Sequence, residues 1–77
     1  ALAISQAPEI HVNAVAPGLT ETRWIEGMES FADEYRRKNP LQRLGRPEDV
    51  AEAILGLVLN DFITGHTLVV NGGVTVL

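Results

Sequence analysis

The sequence predicts an α/β fold in which two parallel strands are joined by a βαβ crossover. Two short stretches rich in apolar and β-branched residues lie at 10–16 and 66–70, and an apolar helical pattern at 47–59 lies between them. A helix that connects two neighbouring strands makes them parallel, and such a connection is almost always right-handed. Because two strands alone do not form a stable sheet, we expect the chain to complete a larger one.

Composition narrows the classes of function. The chain has 77 residues, a formal net charge of −4, 45% hydrophobic residues and no cysteine. The acidic balance argues against nucleic acid as a partner, since phosphates attract a basic surface. The longest apolar run, 54–59, is too short to cross a membrane, and no signal peptide is visible. Absence of cysteine is compatible with the cytoplasm, which is the location we expect.

The first elements are predicted to be the end of a helix and a buried strand. Residues 1–8 show helix formers that end at Pro8, and we expect this helix to begin before the first residue. The stretch 10–16 is almost continuously apolar, as in a strand buried on both faces of a parallel sheet. Asn13 interrupts that run, and its amide is expected to bond to the backbone of a neighbouring loop.

The strand is expected to end at a turn formed by Pro17 and Gly18. Such a pair is most often a plain turn, but glycine also removes side-chain bulk where another molecule comes close. Polar residues follow the turn, and Thr22 is a candidate N-cap. A helix beginning there would offer free N–H groups to an anion, although Thr22 could equally serve only as a cap.

An amphipathic segment at 24–39 follows. Its apolar residues at 24, 28, 31 and 35 recur at steps of three and four, as on one face of a helix, and Gly27 leaves open whether there are one or two helices. The segment is either an ordinary surface helix or a lid over a pocket. As a lid, it would present an apolar wall to a substrate, made by Trp24, Met28 and Phe31.

The second half of the chain carries clearer signals for where a helix and a strand begin and end. Pro47 and two acidic residues begin a helix at 47–59, whose broad apolar face suits packing on a sheet. The last strand, 66–70, ends at Asn71, and the apolar tail at 74–77 is expected to be covered by other protein.

Four stretches in this order resemble the short-chain dehydrogenase/reductase family. Each is weak alone, but together they cover nearly the whole chain: 12–18 (VNAVAPG), Thr22, 43–51 (RLGRPEDVA) and 63–73 (ITGHTLVVNGG). The resemblance implies a Rossmann-type, doubly wound parallel sheet. The 77 residues would be the C-terminal segment of that single domain, containing its last two strands.

The same resemblance implies the roles of particular residues. Pro17 and Gly18 match the turn beside the nicotinamide of NAD or NADP, and Thr20 matches the position whose backbone contacts the carboxamide. Thr22 matches a hydroxyl near the cofactor phosphates or carboxamide. Residues 17–46 then form the nicotinamide-side and substrate loop. The last helix and strand are expected to pack against a neighbouring subunit in a homodimer or homotetramer.

The family's catalytic groups have no counterpart in these 77 residues. Its glycine-rich phosphate turn, catalytic serine and Tyr-x-x-x-Lys pair would all lie upstream, so the catalytic residues expected here are none. Tyr35 and Lys38 are three apart rather than four and so do not match that pair, and the three adjacent cations at 36–38 are interpreted as a solvated patch. His11 and His66 are isolated in the sequence and predict no metal site.

Two hypotheses of function follow. In the first, the chain is part of a longer enzyme that moves hydride between NAD(P) and an alcohol or ketone, and the isolated segment is inactive. In the second, the segment is a non-catalytic interaction or structural piece that docks on a homologous enzyme. The sequence does not distinguish NAD from NADP, and it does not identify the substrate.

Overall fold

A computed structural model describes residues 1–21 and 27–76 of the chain. Within them lie three α-helices and two strands, in the order α1 (Leu2–Gln6), β1 (Ala14–Pro17), α2 (Glu29–Lys38), α3 (Pro47–Leu59) and β2 (Thr67–Val70). A short 3-10 turn, Val74–Val76, follows β2. None of the described helices is long and apolar enough to cross a membrane.

The two strands pair in parallel, as the sequence predicts. Ala14 lies opposite Thr67, and the register continues to Pro17 opposite Val70. Helix α3 contacts both strands, so β1, α3 and β2 form one βαβ unit. The carboxyl ends of both strands therefore lie at the same edge, where Pro17 meets Val70.

The first strand is shorter than predicted at its start and longer at its end. The sequence predicts 10–16 with a turn at Pro17, whereas β1 spans Ala14–Pro17. Proline fits in the ladder because Ala14 and Gly18 donate their N–H groups towards β2, to the carbonyls of His66 and Val70. Alternation along a strand then points the nitrogen of Pro17 away from β2, so no ladder hydrogen bond is lost.

Asn13 explains why regular pairing begins only at Ala14. Its Nδ2 donates to the carbonyl of Ile63 at 3.2 Å, and its Oδ1 accepts from the N–H of His66 at 3.0 Å. The side chain thus bonds to the loop before β2, as expected from the sequence. Val12 bonds to the same loop, through the hydroxyl of Thr64 and the N–H of Gly65.

Two other boundaries differ from the expected ones. Helix α1 ends at Gln6 rather than 8, because Ala7 has extended backbone angles (φ −73°, ψ 151°), as favoured before a proline. The last strand begins at Thr67 rather than 66. Helix α3 occupies Pro47–Leu59, the range over which the sequence predicts a helix.

The best-packed part of the chain lies near the strand ends rather than between α3 and the sheet. Ala32, Leu44 and Asn39 are 3%, 4% and 2% exposed, and they are the buried residues of the described chain. By contrast, Leu55 and Leu59 on α3 are 55% and 72% exposed. Large apolar side chains on α3 are therefore left open to contact with other protein.

Candidate functional site

The candidate site lies at the carboxyl ends of the two strands, where parallel α/β sheets bind their ligands. Gly18 follows β1 directly and donates its N–H to the carbonyl of Val70 at 3.0 Å. A Cβ atom at this position would lie 2.5 Å from the Tyr35 hydroxyl oxygen and 2.7 Å from the Cβ of Asn71. The space that glycine leaves is therefore filled at least partly by the chain itself.

The backbone of Thr20 is held in an orientation that leaves both of its polar groups pointing outwards. Thr20 and Gly45 form an isolated parallel bridge. Gly45 donates to the carbonyl of Leu19 at 3.0 Å, and its own carbonyl accepts from the N–H of Glu21 at 2.8 Å. Because a trans peptide places its C=O and N–H on opposite sides, the N–H and C=O of Thr20 point away from Gly45.

Neither backbone group of Thr20 has a hydrogen-bond partner among residues 1–21 and 27–76. One residue thus presents a donor and an acceptor side by side, the pair that a primary carboxamide requires. The side chain of Thr20 is turned back, and its hydroxyl donates to the carbonyl of Gly18 at 3.0 Å. Any contact with a ligand would therefore come from the main chain.

The structure places Pro17, Gly18 and Thr20 together at the end of β1. Thr22 and Trp24 lie outside the described residues. Met28 precedes α2 and is largely exposed, and Phe31 is 55% exposed. Phe31 lines a shallow depression with Val74 rather than with the Pro17 turn.

Helix α2 turns only part of the predicted apolar stripe inward, because Tyr35 faces the chain and Phe31 does not. It begins after Gly27, which has a positive φ of 84°, so the break suggested by this glycine is present. Its inward face carries Ala32 and Asn39, which are buried, and Tyr35, which is half-buried. Small and polar groups therefore face the rest of the described chain, and Phe31 does not.

Two side chains, one on α2 and one directly after it, contact the strand ends in a way that the sequence does not predict. The Tyr35 hydroxyl accepts a hydrogen bond from the N–H of Leu19 at 3.2 Å. Asn39, at the end of the helix, donates from Nδ2 to the carbonyl of Asn71 at 2.9 Å and accepts at Oδ1 from the N–H of Leu41 at 2.9 Å. Leu41 is local, but Leu19 and Asn71 are distant in sequence from the side chains they contact, and no local pattern reveals such contacts.

An ion pair fixes the loop that carries Gly45. Arg43 donates from Nη1 and Nη2 to the two carboxylate oxygens of Asp49 at 2.8 and 3.1 Å, and Nη1 also bonds to the carbonyl of Leu44. Asp49 further accepts from the N–H of Arg46, at the start of α3. These hydrogen bonds, first that from Arg43, lower the pKa of Asp49 from 3.8 to about 2.

Metal ligation finds no support in the described part of the chain. There, no group of three histidine, aspartate or glutamate side chains is arranged to hold a metal ion. The outward-pointing groups at the site are the backbone N–H and C=O of Thr20, a donor and an acceptor that suit a neutral polar group of an organic ligand.

Comparison with known proteins decides the family. The profile of a family described as "Enoyl-(Acyl carrier protein) reductase" matches residues 1–75, almost the whole chain. The chain belongs to the short-chain dehydrogenase/reductase family. The matching stretch includes the strand ends, the Thr20–Gly45 bridge and helix α3.

Two of the relatives are named as reductases of ketoacyl or 3-oxoacyl substrates. The chain is 52% identical over 75 residues to the granaticin polyketide synthase putative ketoacyl reductase 2 of Streptomyces violaceoruber, covering 94% of this chain and 30% of that protein. It is 43% identical over 67 residues to the 3-oxoacyl-[acyl-carrier-protein] reductase of Buchnera aphidicola, covering 83% and 28%.

Solved structures of short-chain dehydrogenases have the same architecture. A small-chain dehydrogenase in complex with NADPH superimposes with a TM-score of 0.90 at 32% identity, covering 97% of this chain and 36% of that one. The α/β class with a parallel sheet is thereby confirmed. The chain spans about 30% of the length of these short-chain dehydrogenase/reductase relatives.

Proposed function

We propose that the chain is the C-terminal part of an NAD(P)-dependent oxidoreductase that transfers hydride between the nicotinamide and an alcohol or ketone. The observation that carries the proposal is the backbone of Thr20, whose N–H and C=O both point away from Gly45 beside the strand ends. These groups fit the carboxamide of NAD or NADP, which needs one acceptor and one donor. The cofactor itself supplies the hydride.

In this proposal, the residues of this chain bind and orient the cofactor and do no covalent chemistry. Pro17 and Gly18 form the wall beside the nicotinamide, Thr20 holds the carboxamide, and Thr22 lies near the phosphates or carboxamide. Trp24, Met28 and Phe31 belong to a substrate lid. Support for the substrate class comes from relatives named as ketoacyl and 3-oxoacyl reductases, so a 3-oxoacyl thioester is the first ketone to test.

We also propose that the enzyme is a homo-oligomer in which α3 and β2 contact a second subunit. The exposed apolar residues of α3, Leu55 and Leu59 among them, support this assignment. Sedimentation of the full-length protein tests it, and a monomer at all concentrations would contradict it. A cytoplasmic location stays a prediction from composition.

The test of function uses the full-length protein and follows the fluorescence of NADPH and NADH during titration, then their oxidation by 3-oxoacyl thioesters and simple ketones. Binding and turnover are expected with at least one cofactor. If neither cofactor binds, the proposed function is wrong.

A pair of variants tests the contact made by Thr20. Thr20→Pro removes the backbone N–H and is expected to raise the Kd of the cofactor by up to about tenfold, the value of one hydrogen bond. Thr20→Val removes only the hydroxyl and should leave the Kd within about twofold. The reverse order would show that the side chain, not the main chain, makes the contact.

A further inference from the structure

Tyr35 connects the substrate loop to the turn proposed to hold the nicotinamide. It lies on α2, yet its hydroxyl oxygen accepts from the N–H of Leu19 at 3.2 Å. The same oxygen would lie 2.5 Å from a Cβ at Gly18, so the Tyr35 hydroxyl lies directly against the turn. Leu19 and Tyr35 are 16 residues apart, which makes this a tertiary contact and not a feature of local helix geometry.

The contact adds a restraint to the Gly18–Leu19 peptide, whose carbonyl already accepts from the Thr20 hydroxyl. The carbonyl of Leu19 is already held by Gly45, which orients the following peptide and the N–H of Thr20. The preceding peptide, between Gly18 and Leu19, follows a glycine, whose backbone has the widest conformational freedom. The Tyr35 hydroxyl holds that peptide by its N–H, so both sides of Leu19 are restrained.

Helix α2 has a second attachment near the end of β2. Asn39, one turn beyond Tyr35, is 2% exposed and donates to the carbonyl of Asn71 at 2.9 Å. This buried bond sets the position of the helix relative to the strand ends. The backbone that carries Tyr35 is therefore held in place next to the turn. The neighbouring Glu34 and Lys38 instead pair with each other on the exposed face.

We propose that Tyr35 is a positioning residue for the cofactor. Its hydroxyl holds the backbone from Gly18 to Thr20 in the conformation that receives the nicotinamide carboxamide, and thereby links the substrate-loop helix to cofactor binding. This inference rests on the proposed function, because it assigns the ligand of the same turn. Tyr35 itself touches the turn and is not placed among the reacting groups.

The test compares Tyr35→Phe with Glu34→Gln in the full-length protein. Each variant is titrated with the reduced cofactor and with the corresponding ADP-ribose, which lacks the nicotinamide ring. Tyr35→Phe is expected to raise the Kd of the cofactor about two- to tenfold, as for the loss of one hydrogen bond, and to leave the Kd of the ADP-ribose unchanged. Glu34→Gln breaks an exposed ion pair on the same helix and should change neither.

The outcomes separate this inference from the proposed function. If the wild-type protein binds no nicotinamide cofactor, both are wrong. If the wild type binds the cofactor, two results overturn only the role of Tyr35. Either Tyr35→Phe binds the cofactor equally well, or it raises the Kd of the cofactor and of the ADP-ribose by the same factor.

Hydrogen exchange of the wild-type protein gives a second test that does not depend on how the variant folds. The Leu19 amide is expected to exchange more slowly than an unstructured amide, even without cofactor, because the Tyr35 oxygen accepts it. Exchange at the rate of an unstructured peptide would overturn the inference.

Discussion

Gly18 is the residue at which the turn, α2 and the end of β2 meet. A methyl group there would lie within 3.0 Å of the Tyr35 oxygen and of the Cβ and Cα of Asn71. The backbone atom among these cannot move aside cheaply. The requirement for glycine thus has a cause within the chain, in addition to the ligand contact proposed for the turn.

Replacing Gly18 by alanine should lower the free energy of unfolding, unlike replacement of a glycine whose Cβ position has no neighbouring atoms. We expect Gly18→Ala to lower the free energy of unfolding by about 1–3 kcal/mol, as for overpacking. Gly56→Ala is the matched control, because no atom lies within 4 Å of its Cβ position in α3. There alanine should stabilise the helix by about 0.5–1 kcal/mol. Urea unfolding of the full-length protein measures both, and an unchanged or higher free energy of unfolding for Gly18→Ala would contradict the packing described for Gly18.

The lowered pKa of Asp49 leads us to expect that the stability of the protein depends on pH. Its pKa is lowered from 3.8 to about 2, chiefly by the hydrogen bond from Arg43. A depressed pKa in the folded state stabilises the protein above the ordinary value, and this stabilisation is lost as the pH falls towards 2. Asp49→Asn should therefore lower the melting temperature at neutral pH, with the difference shrinking between pH 5 and 2.

Asp33→Asn is the control for the ion pair of Asp49. Asp33 pairs with Arg36 on the surface of α2, where the carboxylate side chain is 64% exposed. Exposed pairs contribute little to stability, so this variant should melt close to the wild type at every pH. A constant offset for Asp49→Asn across the whole pH range would contradict the assigned cause.

At the scale of elements, the sequence predicts α3 and the parallel pairing well, and α2 poorly. Pro47 and the acidic first turn mark the start of α3, and its apolar face contacts the sheet. The stripe predicted for this segment includes both Phe31 and Tyr35, but only Tyr35 faces the described chain, beside the buried Ala32 and Asn39. The partners of the two polar side chains are backbone groups of Leu19 and Asn71, which periodicity cannot reveal.

The attachment of α2 at Asn39 gives a prediction for this element. Asn39→Asp removes the Nδ2 donor to Asn71 and places a carboxylate in a site that is 2% exposed. We expect a loss of about 1–3 kcal/mol in unfolding free energy, the cost of an unsatisfied buried group. Asn60→Asp is the control, because Asn60 only accepts, from the N–H of Phe62, and aspartate keeps that acceptor. Equal stability of the two variants would contradict the attachment.

At the scale of the molecule, packing is concentrated around the candidate site. The buried residues of the described chain lie in α2 and the loop after it, whereas no residue of either strand is buried. The prediction of a strand buried on both faces therefore describes a sheet that more protein would complete. Sequence patterns identify such a strand but do not supply the elements that cover it.

The isolated chain is expected to be weakly folded. A two-stranded sheet is marginal in water, and most of the apolar face of α3 has no cover within the described residues. Thermal unfolding of the 77-residue chain, followed by circular dichroism, should be broad, and no oxidation of NADPH should be detected. A sharp transition with a high midpoint would contradict this prediction.

The most direct test of the central claim is hydrogen–deuterium exchange of the full-length protein with and without NAD(P)H. The claim is that this chain supplies the backbone that holds the nicotinamide. We predict that bound cofactor slows exchange in residues 18–21 and leaves 54–59 unchanged. Tight cofactor binding without protection at 18–21 would show that the nicotinamide lies elsewhere and would contradict the account.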